Sequence, residues 1–170
     1  MIEIRKAEPG DAAAIARVHV VVWRSAYRGL MPDDLLASLS IEQRTDRWHS
    51  TIPNKRVGTY VAIVDGELVG FSSVGMNRSE EGETVGELYT IYVLEQSAGA
   101  GLGTKLIAAA EQWMVDHGFT DALLWVLASN ANARAFYASR GWVDDQFEKV
   151  EVVWGAEVAE ARYRKRLVGS

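Results

Sequence analysis

Tyr89-Thr90-Ile91-Tyr92-Val93, followed after a short loop by Gly99-Ala100-Gly101-Leu102-Gly103-Thr104-Lys105-Leu106, places three glycines where a strand gives way to a helix. The first five residues are β-branched or aromatic and contain no Gly or Pro, so they read as a buried strand. The end of the stretch opens an amphipathic helix, with Leu102, Leu106, Ala110, Trp113, Met114 and His117 along one stripe. The first N–H groups of a helix have no internal partner, and the helix dipole concentrates positive charge there. Glycines allow a bulky anion to come close to those groups, so the stretch reads as a phosphate cradle.

Spacing separates the families that use such a cradle. A Walker-type loop needs Gly-Lys-Ser/Thr, but Thr104 intervenes between Gly103 and Lys105. A dinucleotide fingerprint needs its third glycine where Thr104 stands, and an acidic residue at the end of the next strand, whereas Asp121 precedes that strand. The pattern Gln/Arg-x-x-Gly-x-Gly/Ala remains, and Ala98-Gly99-Ala100-Gly101-Leu102-Gly103 resembles it with Ala98 at the first position. Downstream stand Leu123-Leu124-Trp125-Val126-Leu127, then Asn130-Ala131-Asn132-Ala133-Arg134-Ala135-Phe136-Tyr137, then Gly141-Trp142. These two motifs in this order resemble the signatures of the GNAT superfamily of acetyl-CoA-dependent N-acetyltransferases. The resemblance runs from about Val57 to Leu167.

The remaining elements follow from periodicity. Ile2 to Arg5 alternates as a first strand, and a helix runs from near Asp11 to about Tyr27 with Ile15, Val18 and Val22 inward. Ser40-Ile41-Glu42-Gln43 matches a capping box and starts a helix that turns Ile41, Trp48 and Ile52 inward until Pro53. Val57 to Val64 and Leu68 to Met76 read as a hairpin around Asp65-Gly66, and Glu83 to Val93 as the next strand. His117-Gly118 closes the long helix. Closing strands are expected near Val150 to Trp154 and Val158 to Leu167. The expected fold is one α/β domain over residues 1–170, of order β-α-α-β-β-β-α-β-α-β-β. The resemblance implies a mixed sheet of about seven strands with helices on both faces, split after the glycine-loop strand to admit the pantetheine arm.

At 170 residues and 48% hydrophobic content, the chain can bury a substantial core. A net charge of −5 argues against a general nucleic-acid or membrane-surface role, so an anionic coenzyme needs local positive potential, from residues such as Lys105 and Arg134. The absence of cysteine excludes a thiol nucleophile and disulfides. The three histidines lack metal-ligand spacing, and no metal is expected. Met1 to Lys6 carries charge where a signal peptide needs an apolar run, and no stretch reaches transmembrane length, so a cytoplasmic location is expected.

The resemblance implies the chemistry of individual residues. It places the coenzyme against Ile91, Tyr92 and Val93, the cradle Gly99, Ala100, Gly101, Leu102, Gly103 and Thr104, and the second-motif residues Asn130, Ala133 and Tyr137. Asn130 reads equally as a helix cap. Tyr137 is the expected acid for the departing thiolate, its phenol being protonated at neutral pH. Freeing the lone pair of an amine of pKa about 10.4 near pH 7 costs roughly 4–5 kcal/mol, so a base is useful. Period two puts Val85, Glu87, Tyr89, Ile91 and Val93 on one strand face, which singles out Glu87 as candidate base; the alternative is a structural strand-end glutamate. Trp23, Tyr27, Glu87 and Tyr89 are the candidate acceptor-binding residues, with His19, Trp23 and Tyr27 otherwise read as core. The expected activity is acetyl transfer from acetyl-CoA to a primary amine of a small molecule, by direct attack in a ternary complex. The alternatives are a protein or peptide acceptor, or a non-catalytic acyl-CoA-binding domain. The resemblance also allows a homodimer.

Overall fold

The computed structural model describes residues 1–153 and 155–167. Seven strands form one sheet in the order β1-β2-β3-β4-β5-β7-β6. They are β1 (Ile2–Lys6), β2 (Val57–Val64), β3 (Glu67–Met76), β4 (Val85–Val93), β5 (Asp121–Leu127), β6 (Val143–Val153) and β7 (Ala156–Arg166). The helices are α1 (Ala12–Ala26), α2 (Asp33–Ala37), α3 (Ile41–Thr51), α4 (Leu102–Asp116) and α5 (Ala131–Ser139). Among the strand pairs only β4 and β5 run parallel, as a crossover through α4 requires. Helix α4 covers one face of β2, β3 and β4; α1, backed by α3, covers the other.

Local chemistry accounts for most boundaries. Asp65 and Gly66 both adopt positive φ (50° and 85°), as a tight hairpin needs. The Ser40 hydroxyl accepts from the Gln43 N–H at 3.1 Å and starts α3. Along α4, Leu102, Leu106, Ala110, Trp113 and Met114 are buried. Gly118 at φ 87° ends this helix, with Phe119 N–H bonded to Met114 O and Gly118 N–H to Val115 O, a Schellman closure.

The helices and the closing strand differ from expectation at four points. His117 does not continue the buried stripe of α4; it lies past the last helical residue and stacks on Trp113 with ring centroids 3.8 Å apart. Ile41 is 40% exposed, because α3 meets α1 through its second half, at Trp48 and Ile52. The short α2 was not foreseen; Arg24 holds its C-terminal end by donating to the carbonyls of Leu36, Ala37 and Leu39. Strand β6 begins at Val143 rather than near Val150, because Gln146 at φ 65° and a register shift between Asp144 and Glu148 interrupt its alternation. The expected end of that strand at Trp154 lies outside the described residues.

The feature that shapes the site is a bulge in β4. Leu88 pairs with Val74 and Thr90 with Ser73, so Tyr89 is an extra residue against β3. The alternation changes phase there. Gly86, Leu88, Ile91 and Val93 share the α4 face, whereas Glu87, Thr90 and Tyr92 share the α1 face. Glu87 is therefore not on the face of Ile91 and Val93, contrary to the period-two reading. Pairing of β4 with β5 also stops here, at Leu88 and Leu124, and the two strands part beyond it.

Candidate active site

Where β4 and β5 separate, two cavities meet at one tyrosine. The first, of about 570 Å³, is a groove running from the glycine loop to α5. Gly99 and Gly101 line it at φ 87° and 77°, backbone that side chains rarely adopt, and a Cβ built on either meets nothing within 4 Å. The first amides of α4, those of Leu102, Gly103 and Thr104, have no helical acceptor, and Gly101 has no side chain to cap them. An anion in this groove would meet that uncapped positive end. Arg140 also lines the groove, with its guanidinium over the Phe136 ring at 5.8 Å.

The second cavity, of about 430 Å³, lies on the α1 side between β4 and β5. Its walls are largely aromatic: Trp23, Tyr27, Tyr89, Tyr92 and Trp125. Trp23 Nε1 donates to the Tyr92 hydroxyl at 2.8 Å, and burial pushes that phenol up to about 12. His19 also lines this cavity, packed against Trp23 and Tyr92, and is held at about 4 by burial and by Arg44 and Arg47, so it is neutral near pH 7. Its Nδ1 faces Trp48 Nε1, which donates at 3.4 Å, so the imidazole proton is assigned to Nε2.

Tyr137 stands between groove and cavity and lines both, together with Ile91, Val93, Asn130 and Ala133. It is 9% exposed and packs edge-on against Phe136 and Trp142. Burial, and secondarily Tyr92, pushes its phenol above the ordinary range, so the hydroxyl keeps its proton at physiological pH. Asn130 caps α5 by accepting from Ala133 N–H at 3.1 Å while also lining both spaces.

Glu87 is 1% exposed and fully engaged. One carboxylate oxygen accepts from the Arg78 backbone N–H at 2.9 Å, and the other from Arg78 Nη2 at 2.5 Å and Nε at 3.2 Å. It lines a smaller adjoining cavity of about 250 Å³ with Tyr89, Trp125, Glu151 and Glu160. Glu160 on β7 opens onto both this space and the aromatic cavity. Burial raises the Glu160 carboxyl above the usual carboxylate range, with Lys149 acting in the opposite sense.

The sequence model of the GNAT acetyltransferase family matches residues 22–142. The chain belongs to this family. It is 35% identical over 151 residues to the uncharacterized N-acetyltransferase YuaI of Bacillus subtilis, covering 87% of this chain and 86% of the relative. Aminoglycoside N(6′)-acetyltransferase type 1 of Stenotrophomonas maltophilia is 28% identical over 148 residues, covering 84% of this chain and 87% of that protein. In fold, the chain matches the PaiA N-acetyltransferase of Thermoplasma acidophilum, solved in complex with coenzyme A, with a TM-score of 0.75 at 23% identity over 98% of this chain and 99% of that one. The protein is thus an acetyl-CoA-dependent N-acetyltransferase.

Most of the residues expected to hold coenzyme in this GNAT enzyme come together along the groove. From β4 these are Ile91 and Val93; from the loop and α4, Gly99, Gly101, Leu102, Gly103 and Thr104; from α5 and its cap, Asn130, Ala133 and Tyr137. Tyr92 is not among them, because the bulge turns it to the α1 side, and Ala100 does not line the groove. Of the two cations expected nearby, Lys105 is exposed beside the groove, and Arg134 is occupied by Tyr163, Ala128 O and Asp144. Arg140 is a cation that does line the groove; its signal was a position one turn past the Phe-Tyr pair. Trp23, Tyr27 and Tyr89 line the aromatic cavity, while Glu87 lines only its neighbour. Arg44 and Glu160, both on the aromatic cavity, were missed. Glu160 had a signal, a lone carboxylate among Val158, Ala159 and Ala161; Arg44 had none, as one of several charges on a polar helix.

Proposed function

We propose that this acetyltransferase moves the acetyl group of acetyl-CoA to a primary amine of a small molecule, by direct attack while both substrates are bound. The observation that carries the reading is the position of Tyr137, where two separate spaces meet: the donor and the acceptor each have room, and one tyrosine lines both. Similarity to an aminoglycoside N(6′)-acetyltransferase supports a small-molecule acceptor. Cysteine is absent, so no thiol is present to take the acetyl group first.

Acetyl-CoA brings an acetyl thioester; acetyl transfer needs one proton removed from the amine and one delivered to the sulfur. The glycine-loop amides and Arg140 hold the coenzyme's phosphates, and Ile91 and Val93 form the wall beside its arm. Tyr137 donates the proton to the leaving sulfur, a role that suits a phenol kept protonated by burial. For the proton leaving the amine, Glu160 is the better placed carboxylate. It opens directly onto the aromatic cavity, and its raised proton affinity brings it closer to the operating pH. Both oxygens of Glu87 already accept from Arg78, so Glu87 acts on the site by holding Arg78 at the cavity wall.

Initial velocities measured against both substrates test the sequence of events. Lines that intersect in double-reciprocal form are expected for a ternary complex, and parallel lines would replace it with a covalent acetyl-enzyme.

A further inference from the structure

Two charged side chains on the aromatic cavity are accounted for. Arg78 is paired with Glu87, and Glu151 with Lys149 at 3.1 Å. The cavity carries two more, Arg44 from α3 and Glu160 from β7. Neither makes an ion pair or a side-chain hydrogen bond among the described residues, with each other or with any other group. Arg44 rests its guanidinium over the Trp23 indole at 5.3 Å, and that indole in turn faces Tyr27 at 4.8 Å. Each charge is desolvated: burial lowers the proton affinity of Arg44 and raises that of Glu160. The Tyr92 phenol lies between their fields, with Glu160 raising its proton affinity and Arg44 lowering it.

Partly buried charges are ordinarily paired, because desolvation without a partner is costly. Two opposite charges that share a cavity yet do not meet are held apart by the fold, Arg44 by its helix and the Trp23 ring, Glu160 by the sheet. A ligand with complementary charges at two ends satisfies both at once. A simple cationic amine would satisfy Glu160 and place its tail against an unpaired guanidinium. The planar fork of arginine fits a carboxylate through two parallel hydrogen bonds.

Resting on the small-amine reading above, we propose that the acceptor is a zwitterion, an amino-acid-like primary amine carrying a carboxylate. Arg44 binds the carboxylate, and Glu160 receives the ammonium. The anionic end lies toward α3, where Arg44 also borders a surface cavity shared with Arg47 and Gln43.

Matched acceptors test this. Leucine, 4-aminobutyrate and 6-aminohexanoate are compared with 3-methylbutylamine, propylamine and pentylamine, their counterparts without the carboxylate, by thiol release from acetyl-CoA. At least one zwitterion is expected to exceed its counterpart in kcat/KM by roughly ten- to a hundredfold, as suits hydrogen bonds to a charged group. In Arg44→Gln that ratio is expected to collapse toward one through a raised KM, and Arg44→Lys is expected to restore part of it. Thermal melting of the variants confirms folding. Amines without the carboxylate acetylated as well as the zwitterions, or a preference that survives Arg44→Gln, overturns the zwitterion inference and leaves the proposed function standing. If acetyl-CoA binds normally but no amine in either series is acetylated, the proposed small-amine function itself fails, and the inference with it.

Discussion

The Trp23 indole donates to the Tyr92 hydroxyl across 2.8 Å, joining α1 to β4 at the wall of the acceptor cavity. Tyr92→Phe removes that acceptor while preserving the ring's contacts with Phe71 and His19. A loss of about 1 kcal/mol of stability is expected. Urea unfolding checks this, and an unchanged midpoint would show that the bond contributes nothing net.

Gly101 holds φ 77° at the N-cap of α4, with open space beyond it. Gly101→Val introduces a branched side chain into a left-handed conformation and sets its methyls over the anion site. Coenzyme A affinity is expected to fall about tenfold or more. Calorimetry on the folded variant decides, and undiminished affinity would move the phosphates away from these amides.

Tyr137→Phe deletes one hydroxyl and keeps the packing against Phe136 and Trp142. It should lower kcat by roughly 10²- to 10⁴-fold, the usual range for a positioned acid, with little change in coenzyme affinity. Equal turnover from pH 6 to 9 would reduce this residue to packing.

The two carboxylates separate by their pH profiles. Glu160→Gln is expected to slow the reaction most near neutral pH, with the defect shrinking as the amine loses its proton unaided at higher pH. Glu87→Gln is expected to lower stability by about 1–3 kcal/mol, since it weakens a charge-assisted set of bonds inside the protein. The opposite result, a pH-dependent rate defect in Glu87→Gln and none in Glu160→Gln, would return the base to Glu87.

His19 gives the fold an acid-sensitive point. Its imidazole sits at about 4 in the folded chain, against about 6.5 unfolded. The unfolded state therefore takes up a proton first, and stability falls as pH drops from about 6.5 toward 4. The contribution lost by pH 5 is about 2 kcal/mol. Denaturant unfolding at pH 7.5 and 5 should show a steeper decline for the parent than for His19→Gln; parallel declines would count against a buried neutral imidazole.

Much of this was legible because it is local. The hairpin at Asp65-Gly66, the Ser40 cap, the α4 stripe and the Gly118 closure each depend on residues within one or two turns of each other. The groove was legible for the same reason, since its glycines and Tyr137 belong to two compact motifs. The β4 bulge was not, because Tyr89 carries no glycine-like signal and its extra place exists only relative to β3. Arg44 and Glu160 were hidden more deeply. One lies on a polar helix before β2 and the other on the last strand, and only the order of the sheet brings them to one cavity.

The bulge makes β4 two strands in different registers joined at a single residue. Deleting Tyr89 would remove only the extra residue: Thr90 would follow Leu88 directly, opposite Ser73 and Val74 in plain alternation, and Glu87 would keep its place against Gly75. The packing of the sheet does not need the inserted residue. What would go with it is the local kink at the point where β4 leaves β5, and an aromatic ring from the wall of the acceptor cavity. An insertion that the core can do without is thereby tied to the shape of the site alone.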